Sequence, residues 1–401
     1  MTSGGHVYCT GVAGKSDVNL LSPAFVRLTV ANFCFFLTFA SFFLLPLHVR
    51  ALGGTERTVG FVMGTNGVAG LVSLFVLGLV LDRFDLRWFL RGGLALMASA
   101  ALGFFFVDRI GVALFALRVA QGIAFAAGFN AASTLAVELA PAGRRAAALG
   151  LFGISTLGTH ALAPALGEGI IHLGGFPLLF VVAAAYSVVG LVLTIGLPAT
   201  AGRAAARPAP LTLGETLVAT IATTALMGFA FGTVITFAPT FVHDAHLGSV
   251  STFFLSYTAA AIGTRFGAAG IGDTIGHRRV VIPALAVLGG AIAGLAAVHS
   301  AVTLAAVGVV FGTAQGIVYP TLNAFTIEQA SPGQFGRVQT LFNGCFNLGV
   351  TAGAFVLGIV ADAYGHRVVF LCAGAVAATA LGLFVVGTRD PALDRAGSAS
   401  G

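Results

Sequence analysis

Apolar stretches of about 20 residues follow one another along almost the whole chain, each long enough to cross ~30 Å of hydrocarbon as a helix. Breaks at charge, proline and glycine clusters place spans near 25–49, 59–81, 89–107, 112–137, 146–170 and 176–197, and a second set near 213–242, 252–272, 280–299, 302–327, 337–361 and 368–388. The alternating pattern of barrel strands is missing, and backbone groups in lipid must pair within the chain, so the spans are expected to be bundled helices. The expected class is an all-α integral membrane protein with twelve transmembrane helices.

Composition agrees with that pattern: 57% of residues are hydrophobic and 8% charged, against roughly a quarter charged in soluble domains. Glycine supplies 55 of 401 residues, much of it at four-residue spacing inside spans, as in Gly60/Gly64, Gly228/Gly232, Gly308/Gly312/Gly316 and Gly349/Gly353. Small residues one turn apart let helix backbones approach closely. Cys9, Cys34, Cys345 and Cys372 show no paired spacing, so neither a disulfide framework nor a metal site is expected, and nothing calls for a cofactor. The polar first 22 residues carry Lys15 and Asp17 and lack a cleavable signal peptide, which leaves the first span as the targeting signal.

The stretch from Pro198 to Pro210, rich in Ala, Pro and Arg, separates the two sets of spans and reads as a linker. The expected organisation is a tail over 1–22, a six-helix bundle over 23–197, a linker over 198–212, a second bundle over 213–388 and a tail over 389–401. An even number of spans puts both termini on one side. With the termini inside, only Arg50, Arg57, Arg109 and Arg367 fall outside, while the remaining Lys and Arg, apart from Arg118 and Arg265 within spans, are cytoplasmic. The excess of basic residues fixes this orientation and accounts for the formal +6 without a nucleic-acid partner.

Two features repeat between the halves. The charged run Gly78-Leu-Val-Leu-Asp82-Arg83-Phe-Asp85-Leu-Arg87 after span 2 has a counterpart in Asp273-Thr-Ile-Gly276-His277-Arg278-Arg279 after span 8. Ala120-Gln121-Gly122-Ile123 in span 4 recurs as Ala314-Gln315-Gly316-Ile317 in span 10, with Asn130 matched by Asn323. Two pseudo-symmetric six-helix bundles follow, with any binding site between them near mid-membrane.

These motifs resemble the major facilitator superfamily over essentially all twelve spans. Gly78, Asp82, Arg83 and Arg87 match the family's loop between spans 2 and 3, with Asp85 where glycine is usual; in the second copy Asp273, Gly276 and Arg278 match, but Ala269 and Thr274 replace a Gly and an Arg. Arg118, Gln121 and Gly122 fit the span 4 pattern of the drug/proton antiporter branch. Gly263-Thr264-Arg265 looks like the arabinose-efflux-permease-like group. The resemblance implies a non-enzymatic, monomeric carrier in a bacterial inner (plasma) membrane, moving a small molecule by alternating access, most often as proton-coupled efflux. A uniporter or importer of a sugar-like or organic-anion solute is the alternative, as is a transport-inactive sensor or assembly factor. It also implies that Gly78, Asp82, Arg83, Arg87, Asp273, Gly276 and Arg278 form a conformational latch.

Arginine within a membrane is expensive unless paired or wet, so Arg118 and Arg265 are candidate electrostatic sites. No carboxylate falls at the midplane. The nearest candidates for a proton route are Glu168, toward the outer end of span 5, and His160 two turns earlier on the same face, with Arg118 as counter-charge. Asn32, Gln121, Gln315 and Asn323 complete the candidate substrate or proton pathway. Two arginines without a mid-membrane acid favour an anionic or carboxylate-bearing solute.

Overall fold

The computed structural model describes residues 22–78, 84–141, 144–199, 214–268, 270–331 and 334–389. The tails, most of the linker, and Asp82 and Arg83 lie outside the described residues. Helix α1 (Pro23–Ser41) starts on a Ser22 cap whose hydroxyl accepts the Phe25 N–H at 3.2 Å, with Pro23 in the first turn, where no N–H is needed. A 3₁₀ turn at Phe42–Leu44 leads into α2 (Leu45–Ala51), and the two helices together make span 1. Then follow α3 (Glu56–Gly78), α4 (Leu86–Gly103), α5 (Val112–Leu139) and α6 (Arg145–Leu193).

Helix α6 holds two spans rather than one. The expected loop between spans 5 and 6 shrinks to Gly174 and Gly175, and Gly175 takes φ 70°, a conformation that only glycine adopts without strain. The second half contains α7 (Glu215–Asp244), α8 (Ser251–Gly267), α9 (Ile271–Ile275), α10 (His277–Gly294), α11 (Ala301–Glu328), α12 (Phe335–Tyr364) and α13 (His366–Gly387). Span 8 ends five residues short of the expected 272, because Gly270 at φ 78° breaks the helix and α9 forms a separate turn in the charged hairpin. Nine continuous helices among the described residues are long and apolar enough to cross a membrane. The break in α6 splits one of them, and α3 and α8 complete the twelve by their places in the repeat.

Packing repeats with the sequence. Helix α3 lies on α5 as α8 lies on α11, and α4 lies on α5 as α10 lies on α11. The repeated Gln-Gly pair sits at the equivalent crossing in each half: Gly122 faces the backbone of Asn66 and Gly70, and Gly316 faces that of Ala261. A Cβ at either position would collide with main chain. Close approach through glycine is therefore built into both halves, as expected where lipid removes the hydrophobic drive for helix association. The outer surface is apolar, with Leu173, Val192, Val302 and Leu371 all exposed, as a lipid-facing surface requires.

Candidate functional site

Among the described residues the two halves meet tightly at one end only. On α3, Gly60 and Gly64 press against Ala354, Phe355 and Gly358 of α12, and Gly67 presses against Thr351. Continuing along the same faces, Leu71 and Leu74 are only half-buried, Asn347 is exposed, and a Cβ at Gly344 would meet open space. The seam opens toward the end that carries the linker.

At the closed end the halves are joined by polar contacts. The Glu168 carboxylate, at the far end of the first span of α6, accepts the main-chain N–H groups of Val250 (2.7 Å) and Ser251 (2.9 Å) and the Ser249 hydroxyl. An acid of the first half thus caps the N-terminus of α8 in the second, where the exposed N–H groups and helix dipole favour negative charge. Beside it, Glu56 at the start of α3 accepts the Thr240 hydroxyl of α7 at 3.1 Å, and His366 Nε2 lies 2.9 Å from Thr240 Oγ1 and 3.5 Å from Glu56 Oε2. Arg50 sits 3.4 Å from Glu56 Oε1 and 3.6 Å from Asp244 Oδ2 across the seam. Donor atoms of Glu56, Asp244 and His366 lie within 4.8 Å of one another. The Arg50 guanidinium already bridges the two carboxylates, so the cluster is an ion-pair seam.

One layer further in, His160 Nδ1 of α6 is hydrogen-bonded to the Tyr257 hydroxyl of α8 at 3.0 Å, with Phe43 edge-on to the imidazole at 5.1 Å. Beyond that contact the cleft begins. Arg265 of α8 reaches across it, its Nη1 3.8 Å from where a Cβ on Gly153 of α6 would sit. It lies about two turns along α8 from Tyr257. The Tyr319 hydroxyl donates to Asn343 Oδ1 of α12 at 3.1 Å.

The expected pathway residues divide. His160, Glu168 and Arg265 lie along the seam between the halves. Asn32 is fully buried and ties α1 to α6 through Thr156 (3.0 Å), leaving its Oδ1 without a partner. Arg118 does not enter the cleft: its Nε donates to the Val62 carbonyl of α3 (3.1 Å), Nη1 to Gln121 Oε1 (2.7 Å) and Nη2 to the Met63 carbonyl (3.4 Å). It staples α5 to α3, and the charge beside His160 comes from Arg265. Gln315 and Asn323 on α11 each keep a buried side-chain oxygen without a partner. Glu56, Thr240, His366, Tyr257, Tyr319 and Asn343 enter the seam and cleft from the structure. In the sequence His366 sits in a second Asp-x-x-Gly-His-Arg run, Asp362 to Arg367, and its place on the same side as Arg50 and Glu56 is its only signal.

The Major Facilitator Superfamily profile matches residues 28–348 and, in a second alignment, 222–401. The chain belongs to that superfamily. No curated protein matches at the sequence level. Among solved structures, the nucleoside transporter NupG is 16% identical with a TM-score of 0.76, covering 92% of this chain and 99% of its own. A POT family transporter in complex with 5-aminolevulinic acid is 13% identical with a TM-score of 0.76, covering 91% and 96%. The human organic anion transporter MFSD10 (TETRAN) is 16% identical with a TM-score of 0.67, covering 90% and 99%. These likenesses show the fold, and membership of the superfamily makes the chain a multi-pass, non-enzymatic membrane transporter.

Within that fold the described hairpin residues bond to their own halves. Asp85 caps α4, accepting the Arg87 N–H at 3.0 Å, and pairs with the Arg87 guanidinium at 2.7 Å. Arg87 also donates to the Leu197 carbonyl at 3.0 Å. In the second half Arg278 donates to Thr388 Oγ1 (3.0 Å) and the Val385 carbonyl (3.2 Å), the pseudo-equivalent place. Gly276 turns the chain at φ 92°, and Asp273 lies 3.4 Å from His277.

Proposed function

We propose that this protein exports a small organic solute in exchange for protons by alternating access, and that the conformation described is the inward-facing one. The observation that carries this reading is the asymmetric seam. Glu168, Glu56 and the Gly60/Gly64/Gly67 contacts close one end, and the cleft at Arg265 opens toward the other. With the linker on the cytoplasmic side, as the distribution of basic residues favours, the closed end is extracellular.

The hairpin residues Gly78, Asp82, Arg83 and Arg87, with Asp273, Gly276 and Arg278, are assigned to the opposite state. Arg87 and Arg278 bond within their own halves here, as expected of a latch that engages only when the cytoplasmic ends come together. His160 is the proposed proton carrier, because it lies on the seam between the closed layer and the cleft and bonds the Tyr257 hydroxyl of the other half there.

Protein reconstituted in liposomes with an imposed pH gradient tests the reading. Exchange predicts lumenal pH changes on solute addition and flux that rises with the gradient. Flux indifferent to the gradient removes the proton, and no flux with any solute removes transport.

A further inference from the structure

We infer that the solute carried in the cleft bears a carboxylate or an organic anion of similar shape, and that Arg265 is the group that holds it. The inference rests on the transport reading above and names the substrate class of that site. Arg265 carries a positive charge on a half-buried helix face, and no carboxylate among the described residues lies within ion-pair distance of it. Its Nε is buried without any acceptor.

Arg118 supplies the internal contrast. It is more deeply buried, yet its donors are spent on two backbone carbonyls and Gln121 Oε1, so its charge serves the helix pair. Arg265 makes no such bonds and points across the cleft at Gly153, where the absence of a side chain leaves space. A guanidinium held in a low-dielectric cleft without an acceptor is costly. A planar carboxylate meeting it through two parallel N–H bonds removes that cost and matches its geometry.

The neighbours reinforce the sign. His160, Tyr257 and Tyr319 bring no carboxylate, so among the described residues nothing offsets the repulsion that a cationic solute meets at Arg265. Aromatic side chains stand close by, with Phe346 5.1 Å from the Tyr319 ring and Phe231 6.5 Å from that of Tyr257. An anionic head on an apolar or aromatic body fits both parts.

The test uses the full-length protein in detergent, with benzoate, 3-phenylpropionate, indole-3-acetate and hexanoate as probes, each beside its uncharged amide. Thermal unfolding and calorimetry should show saturable binding of at least one carboxylate, with its amide weaker by about 10- to 100-fold. Arg265→Gln should remove the difference between acid and amide, and Arg265→Lys, which keeps the charge and guards against a folding defect, should retain part of it. Acids and amides binding alike, no acid binding at all, or a preference that survives Arg265→Gln in a folded protein would each overturn the inference.

Flux in liposomes separates this from the transport reading. Flux of neutral or cationic solutes without Arg265-dependent binding of acids refutes the anion class and keeps transport. Arg265-dependent binding of an acid without flux supports the anion site and refutes transport.

Discussion

The Glu168 carboxylate accepts the Ser251 main-chain N–H at 2.9 Å, so an acid of one half caps a helix of the other. In the outward-open state proposed above the halves would part at this end, and both the carboxylate and the α8 terminus would return to water. Glu168→Ala should therefore weaken the closed end by about 1–2 kcal/mol, a shift of roughly 5- to 30-fold in the equilibrium between states. Distances between spin labels on the ends of α6 and α8 report that population, and an unchanged distribution would count against the cap as a gate.

The neighbouring seam is predicted to be uneven in strength. The Arg50 and Asp244 side chains are 39% and 36% exposed, so their cross-seam pair should contribute about 0–1 kcal/mol in a double-mutant cycle. The Glu56 side chain is only 7% exposed and faces Thr240, His366 and Arg50 together. Glu56→Ala should cost more, about 1–3 kcal/mol in unfolding experiments, because it strands three partners at once. Equal costs at the two sites would show that burial does not rank these contacts.

The sequence made the repeat legible because its signal is local. Gln121-Gly122 and Gln315-Gly316 are strings, and they mark equivalent crossings. The seam has no such string: Glu56, Thr240 and His366 come from three helices far apart in the chain, and only the fold brings them together. Arg118 and Arg265 read alike as intramembrane arginines. What separates them is the set of acceptors each can reach, two carbonyls of α3 for one and open cleft for the other, and neither spacing nor hydropathy encodes that. The second span of α6 was legible in its apolar length, whereas the near-absence of a loop before it depends on the backbone of Gly175.

Asp85 stands where the superfamily usually has glycine, and the structure gives it a local task as the cap of α4. Asp85→Ala should lose that cap and about 1 kcal/mol of stability, seen as a lower unfolding temperature. Asp85→Asn keeps a capping oxygen while removing the charge opposite Arg87, so it should unfold closer to the wild type. If Asn is as damaging as Ala, the ion pair outweighs the cap. Asp85→Gly should fall between them, since glycine is a tolerable cap.

Glycines inside spans divide by what lies opposite. A Cβ at Gly349 would run into the backbone of Ala225 and Phe229 on α7, and one at Gly312 into the backbone of Tyr257, whereas nothing lies near Gly290. Backbone does not step aside as a side-chain tip does, so Gly349→Ala and Gly312→Ala must push helices apart, at about 1–3 kcal/mol each. Gly290→Ala, in the exposed face of α10, should be neutral or stabilising by up to about 1 kcal/mol, because alanine is the better helix former. Thermal unfolding of the three variants in one detergent decides the matter, and a Gly290 variant as damaged as the other two would mean that glycine serves flexibility here rather than close packing. Gly312 carries a second consequence, since Tyr257 bonds His160 across the seam. Displacing α11 from α8 there should also disturb that contact, so Gly312→Ala should lower solute flux beyond what its loss of stability explains, and flux that falls only in step with stability would show that the contact does not matter to transport.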